Sequence, residues 1–439
     1  QRQANEKIAF LACFFFMSNF AFYGEMLSLA RQEVAEFFFV LILLLIVSHD
    51  LLIQQKSFIF LITSATLVVS HYGLSYIFML MLLLALTIAT LDSHVNVLDG
   101  IIRFFKRVSE KTGLFTGLKL QAVCFKTPVI PLLFVAWYGF FLLVWYIYVA
   151  SSSSFESIVY IARPILESIF SDLFNPDAAQ GIAIILNETA TPLHTVTKYL
   201  HLLTIFLIVV GYISAIIIRQ DKLKFDAQYL LLSCGALGLC ISGIVLPYFA
   251  SALNTTRLYQ ISLILLAPFC VVGGVALLSR LKGFLAVGDH SLHVIALFLG
   301  IFLLFNSGWV YEICLDEPTS IALNNSFDSS VFSEQEVLGS LWITDAKDSR
   351  LVAADTHRRL LLSGFVGRPA CCDIQTILSG DQNCYVFIGR FNMLHEHIAV
   401  TRTIGVTSST QFVKITDFDT EKDIIYSNGG SKIYCLKTP

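Results

Sequence analysis

Over the first 310 residues, unbroken runs of Leu, Ile, Phe and Val are separated by short polar stretches; beyond that point apolar and polar residues mix. The runs lack the one-in-two alternation of barrel strands. In lipid, continuous runs must be helical, because a helix satisfies its own backbone N–H and C=O groups. About 20 helical residues cross a bilayer core of about 30 Å. The pattern predicts nine segments, at roughly 8–23, 34–53, 58–70, 74–91, 128–150, 200–218, 228–250, 257–279 and 291–310. The third is expected to be a half-helix of about 20 Å, or one arm of a hairpin with the fourth that turns at Ser70-His71-Tyr72-Gly73.

A different periodicity marks residues 151–198. Phe155, Ile158, Val159, Ala162, Ile165, Ile169, Phe170 and Leu173 share one helical face, with Glu156, Arg163, Glu167 and Asp172 on the others. The spacing predicts an amphipathic helix broken by Pro164 and ended near Asn175-Pro176. It lies in the outer interface or packs as a soluble helix under the tail.

After residue 310 the pattern is that of a small α/β domain. Ser333 and Glu336 form a capping box ahead of Val337, Leu338, Leu341 and Trp342. Residues 351–354 and 384–388 read as buried strands, and an Asn428-Gly429-Gly430 turn joins two more as a hairpin. The expected fold class is an α-helical multi-pass membrane bundle, residues 1–310, with a small extracytoplasmic α/β domain, residues 311–439.

Composition agrees with this division. The chain is 56% hydrophobic and 14% charged, with a mean hydropathy of +0.73, which no soluble chain of 439 residues shows. Residues 311–439 hold 27 of the 61 charged residues. A net charge of −3 and the lack of a basic run exclude a nucleic-acid partner. With the N-terminus inside and nine crossings, fourteen Lys and Arg fall inside and four outside (Arg31, Arg163, Lys198 and Arg257); merging 58–91 into one span gives twelve against six. This puts the tail outside the cell membrane, together with the sequons at Asn187, Asn254 and Asn324. Cys314, Cys371, Cys372, Cys384 and Cys435 are then free to form one or two disulfides, with no framework implied; Cys371, Cys372, His395 and His397 are zinc-ligand types without finger spacing. The chain opens at Gln1, ahead of its first apolar run, and a preceding segment is expected.

P-loop, dinucleotide-binding, Gly-x-Ser-x-Gly and His-Glu-x-x-His signatures are absent. Chemistry is therefore sought among polar groups at membrane depth. In the first outer loop, Glu25 and Glu36 are candidate bases or metal ligands and Arg31 a bidentate anion contact; the same residues also suit an interfacial helix start. His71 can move a proton or donate to a phosphoryl oxygen, with Tyr72 as an amphipathic neighbour, or the pair simply anchors the interface. Arg257, followed by Tyr259, suits a lipid phosphate or snorkels to the headgroups. The pair His49 and Asp50 lies at the inner end of its span and reads as structural. The three outer sites suit a substrate with a phosphate head and an apolar tail.

The stretches Ser28–Phe37, Leu67–Tyr76, Thr256–Gln260 with Leu266–Phe269, and Ile425–Tyr434 resemble a family of large archaeal multi-pass proteins, itself similar to GT-C type glycosyltransferases. The resemblance implies a GT-C-like hexosyltransferase that takes a sugar from a polyprenyl-phosphate donor at the extracytoplasmic face. Glu25, Glu36 and His71 are then the catalytic candidates, and Arg31, Tyr72, Arg257 and Tyr259 bind substrate. The acceptor is a glycan or protein, membrane lipids surround the bundle, and a divalent metal such as Mg or Mn shares the charge on the leaving phosphate. GT-C enzymes usually carry an acidic motif of the Asp-x-Asp type in the first outer loop. Here that pattern occurs only at Asp417-Phe418-Asp419, so a preceding segment holds the acid, Glu25 substitutes, or catalysis is lost. The rival readings are a non-enzymatic transporter or flippase of lipid-linked glycans, which needs polar residues throughout the bundle, and a membrane-anchored surface binding protein.

Overall fold

The computed structural model describes residues 3–24, 26, 30–48, 50–95, 100, 103, 107, 132–149, 153–168, 170–172, 175, 179–186, 189, 191–217, 225–249, 255–280, 290–316, 328, 331–345, 350–366, 384–404, 407–415 and 422–436. The chain divides into two compact units, Gln1–Ile321 and Ala322–Pro439. Asn187, Asn254 and Asn324 of the three sequons and the Asp417-Phe418-Asp419 motif lie outside the described residues.

The first unit is helical: α1 (Glu6–Met17), α2 (Phe20–Tyr23), α3 (Ala30–Ile46), α4 (Ile53–Ser70), α5 (Tyr72–Val95), α6 (Leu132–Val144, continued by a π-turn to Val149), α7 (Ser153–Ser168), α8 (Gln180–Leu186), α9 (Pro192–Ile217), α10 (Ala227–Val245), α11 (Thr255–Arg280), α12 (Ser291–Asn306) and α13 (Trp309–Cys314). Among the described residues, five helices are long and apolar enough to cross a membrane: 72–92, 132–149, 192–217, 227–245 and 255–279. The apolar α12 is shorter. Exposed Phe10, Leu133, Phe140 and Leu297 show that the bundle turns apolar side chains outward as well as inward, as a lipid-facing surface requires.

Two expectations are corrected here. The third apolar segment is not a half-helix: α4 has 18 residues, about 27 Å at about 1.5 Å each. Hydropathy misses its polar first turn, Gln54-Gln55-Lys56. There Lys56 Nζ donates to the carbonyls of Ile46 (3.1 Å) and Ser48 (2.9 Å), capping the end of α3. Nor does Pro164 break the amphipathic helix. α7 runs through it and stops at Ser168, short of Asn175. The carbonyl that Pro164 frees is that of Tyr160, on the exposed side of the helix, and the Arg163–Glu167 pair bridges the same turn at 2.8 Å.

The tightest packing joins α9 to α11. A Cβ added at Gly211 would lie 1.8 Å from the Phe269 carbonyl oxygen, and one at Gly273 would lie 1.9 Å from that of Leu207. The two backbones touch because these positions have no side chain, the device that holds helices together where lipid is as apolar as Leu. At the α4–α5 corner, Ser75 Oγ donates to the carbonyls of Leu67 (3.1 Å) and His71 (2.8 Å). From α6, Tyr138 donates to the Ser75 carbonyl (3.2 Å), and Tyr146 in the π-turn donates to that of Val68. Carbonyls freed where α4 ends are thus paired inside the protein.

The second unit contains α14 (Glu334–Asp345), β1 (Leu351–Ala353), α15 (Thr356–Val366), β2 (Cys384–Ile388), α16 (Arg390–His395), β3 (His397–Ile404), β4 (Thr407–Lys414), β5 (Lys422–Ser427) and β6 (Lys432–Leu436). One sheet has the order β1-β2-β6-β5, with β1 parallel to β2 and the other pairs antiparallel; β3 and β4 pair separately. The capping box forms: Ser333 N donates to Glu336 Oε2 at 2.8 Å, and Glu336 N to Ser333 Oγ at 3.3 Å. In the β5–β6 turn, Asn428 Oδ1 accepts from the amides of Gly430 (3.1 Å) and Ser431 (2.8 Å), and Gly429 takes φ +83°. Cys314 and Cys435 are free thiols, so neither enters the expected disulfides; Cys371 and Cys372 lie outside the described residues.

Candidate functional site

The residues singled out at the outer loops come from three places in the chain, and the bundle gathers most of them. α3 carries Arg31, exposed near its start, and Glu36, buried one turn later. The α4–α5 corner carries His71 and Tyr72, and the first turn of α11 carries Arg257. Glu25 lies outside the described residues.

His71 ends α4 in extended conformation, with φ −155°. Its Nδ1 accepts the Leu74 amide at 3.1 Å, satisfying an otherwise orphan donor in the first turn of α5. The neutral ring therefore carries its proton on Nε2, which remains a donor. Tyr72 is half exposed and stacks on the imidazole, with ring centroids 5.3 Å apart. Gly73 leaves room for the ring, since a Cβ there would stand 3.0 Å from His71 Cε1. Burial, and then the positive charges of Arg257 and Arg31, hold the His71 pKa below the ordinary histidine value. Both guanidinium groups are thus within electrostatic reach of one imidazole.

Glu36 faces the same region from α3. Gln32 Nε2 donates to its Oε1 at 2.8 Å, and Gln260 Nε2 donates to its Oε2 at 3.2 Å and its Oε1 at 3.4 Å. Gln260 stands three residues after Arg257, on the same side of α11. Arg31 and Arg257 act electrostatically on His71, Tyr72 stacks on its ring, and Gln260 ties Glu36 of α3 to the start of α11; these residues make up the candidate site. Tyr259 does not join it. It turns to the other side of α11, where it lines a cavity, and its buried hydroxyl beside Thr204 closes no hydrogen bond of normal geometry.

Gln32 and Gln260 escaped the sequence reading. For Gln260 the available signal was an amide at the head of an apolar run, where burial is costly without a partner; Gln32, between Arg31 and Glu33, gave none. Among the described residues, no three His, Cys, Asp or Glu side chains come together as a metal-binding group. His395 and His397 lie 5.9 Å apart by ring centroid in the second unit.

A bundle that includes, among the described residues, five helices of membrane length, followed in the chain by a small sheet-containing unit, defines a multi-pass helical membrane protein. The chain belongs to the family described as "Predicted membrane protein (DUF2206)", whose model matches residues 56–434. No curated protein and no solved structure matches it.

Proposed function

We propose that this protein is a GT-C-like glycosyltransferase that moves a hexose from a polyprenyl-phosphate-linked donor to a glycan or protein acceptor at the extracytoplasmic face. The observation that carries this reading is Glu36 of α3 held by Gln260, three residues from Arg257 on α11, together with the electrostatic influence of Arg257 and Arg31 on His71. Two guanidiniums and an N–H donor at the end of an apolar bundle suit a phosphate whose lipid tail stays in the bilayer.

The acceptor hydroxyl attacks the anomeric carbon, and the bond from that carbon to the phosphate oxygen breaks. The phosphate leaves with the electron pair. Arg257 and Arg31 stabilise the charge that develops on it, His71 Nε2–H donates to one of its oxygens, and Glu36 takes the acceptor proton. A divalent metal bound with the donor would share the charge stabilisation.

The test is transfer from radiolabelled polyprenyl-phosphate glucose and mannose by the full chain in membranes. Arg257→Ala should lower transfer about ten- to a hundredfold, the worth of one charge-assisted contact. Arg257→Lys should recover only part, because it keeps the charge and loses the fork. Normal transfer by Arg257→Ala at equal membrane expression removes the residue from the site. Absence of transfer by the wild-type chain from either donor overturns the reading.

A further inference from the structure

α7 takes no part in the site described above, and its surface has two characters. Val159 and Leu166 are seven residues apart and share one stripe of the helix, where they are 52% and 70% exposed. Phe170, just past the helix end, is 94% exposed. The other side is polar. Arg163 and Glu167 form an exposed pair one turn apart, and Pro164 lies about 160° round the helix from Leu166. Pro164 has no N–H for the Tyr160 carbonyl, and that group also lies away from the apolar stripe, so it needs a polar surrounding.

Neither bulk water nor hydrocarbon accepts both sides. Water would leave the stripe and Phe170 without the burial that apolar side chains gain. Hydrocarbon would enclose a charged pair and a carbonyl lacking its helical partner. The boundary between the two satisfies each side at once, as it does for helices that lie in the plane of a membrane surface.

Connectivity holds α7 at such a boundary. α6 with its π-turn, Leu132–Val149, is long and apolar enough to cross a membrane. From Val149 to Ser153 the chain advances four residues, which span at most about 14 Å. α7 also packs against the π-turn that ends α6. The helix therefore starts within reach of the membrane surface at which α6 emerges.

We infer that α7 lies along the bilayer surface at the end of α6, with Val159, Leu166 and Phe170 among the upper acyl chains and Arg163 and Glu167 among the headgroups. Its partner is the lipid surface itself. The inference does not depend on glycosyl transfer.

The test places the photoreactive residue p-benzoylphenylalanine at Leu166, at Val159 or, on the polar side, at Pro164 of the full chain. Each variant is reconstituted into phosphatidylcholine vesicles and irradiated, and adducts are located by mass spectrometry of its peptides. Positions 166 and 159 should yield phosphatidylcholine adducts about tenfold above position 164, since the first two face acyl chains and the third faces headgroups and water. If one variant of the stripe fails to insert, the other carries the same comparison. Cross-links from the stripe to Ala322–Pro439 in place of lipid would make α7 a packing surface for the second unit. Cross-linked dimers in place of lipid, with a yield that falls as lipid is added, would make it an interface between copies. Equal lipid adducts at 166 and 164 would mean an immersed helix, and none at either 166 or 159 a helix in water. Each of these four results overturns the proposal.

Discussion

Glu36 in the helical bundle and Glu336 in the second unit are both buried glutamates near the start of a helix, 5% and 2% exposed. Their partners differ in kind. Glu336 accepts from the Ser333 amide and hydroxyl, from the Arg390 amide (3.1 Å) and from Arg358 Nε (3.1 Å). Arg358, itself 2% exposed, also pairs with Asp355 (3.2 Å) and Asp328, and Asn392 completes Asp355 at 2.7 Å. That carboxylate is neutralised and its lone pairs are filled, as a buried charge must be if it serves the fold. Glu36 receives, among the described residues, two neutral amides, one of them at 3.2–3.4 Å. Such partners orient a carboxylate without cancelling its charge. The contrast is between a carboxylate whose charge is cancelled by a buried cation and one that is oriented by neutral donors.

The largest effect expected from this comparison is at Arg358. Arg358→Met keeps the volume and leaves three carboxylates without their cation, a change that costs about 3–5 kcal/mol for a buried pair. Hydrogen exchange on the full chain should show α14, α15 and β2 losing protection while the bundle keeps its own. Glu36→Gln should leave exchange in the bundle within about 1 kcal/mol of wild type. If it opens the bundle as far as Arg358→Met opens the second unit, both glutamates are structural and the contrast fails.

A smaller effect tests how the bundle itself is held. Gly273→Val places a branched side chain where even a Cβ would meet the Leu207 carbonyl oxygen at 1.9 Å. Overpacking of this kind costs about 1–3 kcal/mol. Gly300→Ala is the control, because a Cβ there meets nothing within 4 Å. Thermal unfolding in detergent should fall clearly for Gly273→Val and not for Gly300→Ala. Equal midpoints would show that α9 and α11 are free to separate.

What could be read from the sequence follows the range of the interactions. The Ser333–Glu336 cap, the strands at 351–353 and 384–388 and the Asn428-Gly429-Gly430 turn are set by neighbours a few residues apart, and local patterns reveal them. Hydropathy likewise marks apolar helices, although it clipped α4 because Lys56 acts on the preceding helix rather than its own. Partnerships across long separations were hidden. Gln260 and Glu36 are 224 residues apart, and Thr191 and Asp316 are 125 apart. Gly211 and Gly273 look like ordinary small residues until α9 meets α11. Arg31, His71 and Arg257 could each be named as polar groups at membrane depth, but the electrostatic influence of the two arginines on the imidazole comes only with the fold.

The smallest expected effect is a pH dependence at His71, and it sharpens the account of the site. Burial disfavours the imidazolium, and Arg257 and Arg31 repel it, so the folded-state pKa lies below the unfolded value of about 6.5. Within that window the unfolded chain binds more protons than the folded one, and stability therefore rises with pH. Its contribution is intact above about 6.5, falls as pH drops through the unfolded value, and levels off once the folded ring is also protonated. His71→Asn retains a side-chain acceptor for the Leu74 amide and does not titrate, so it should flatten this part of the profile without loss at neutral pH. An anion between the two guanidiniums acts in the opposite direction, because its charge offsets theirs and favours the imidazolium. A histidine-resolved NMR titration in detergent should thus show the His71 pKa rising when an alkyl phosphate is added. An unchanged pKa in the presence of saturating phosphate would mean that no anion binds beside this ring, and the phosphate role of Arg31 and Arg257 would go with it.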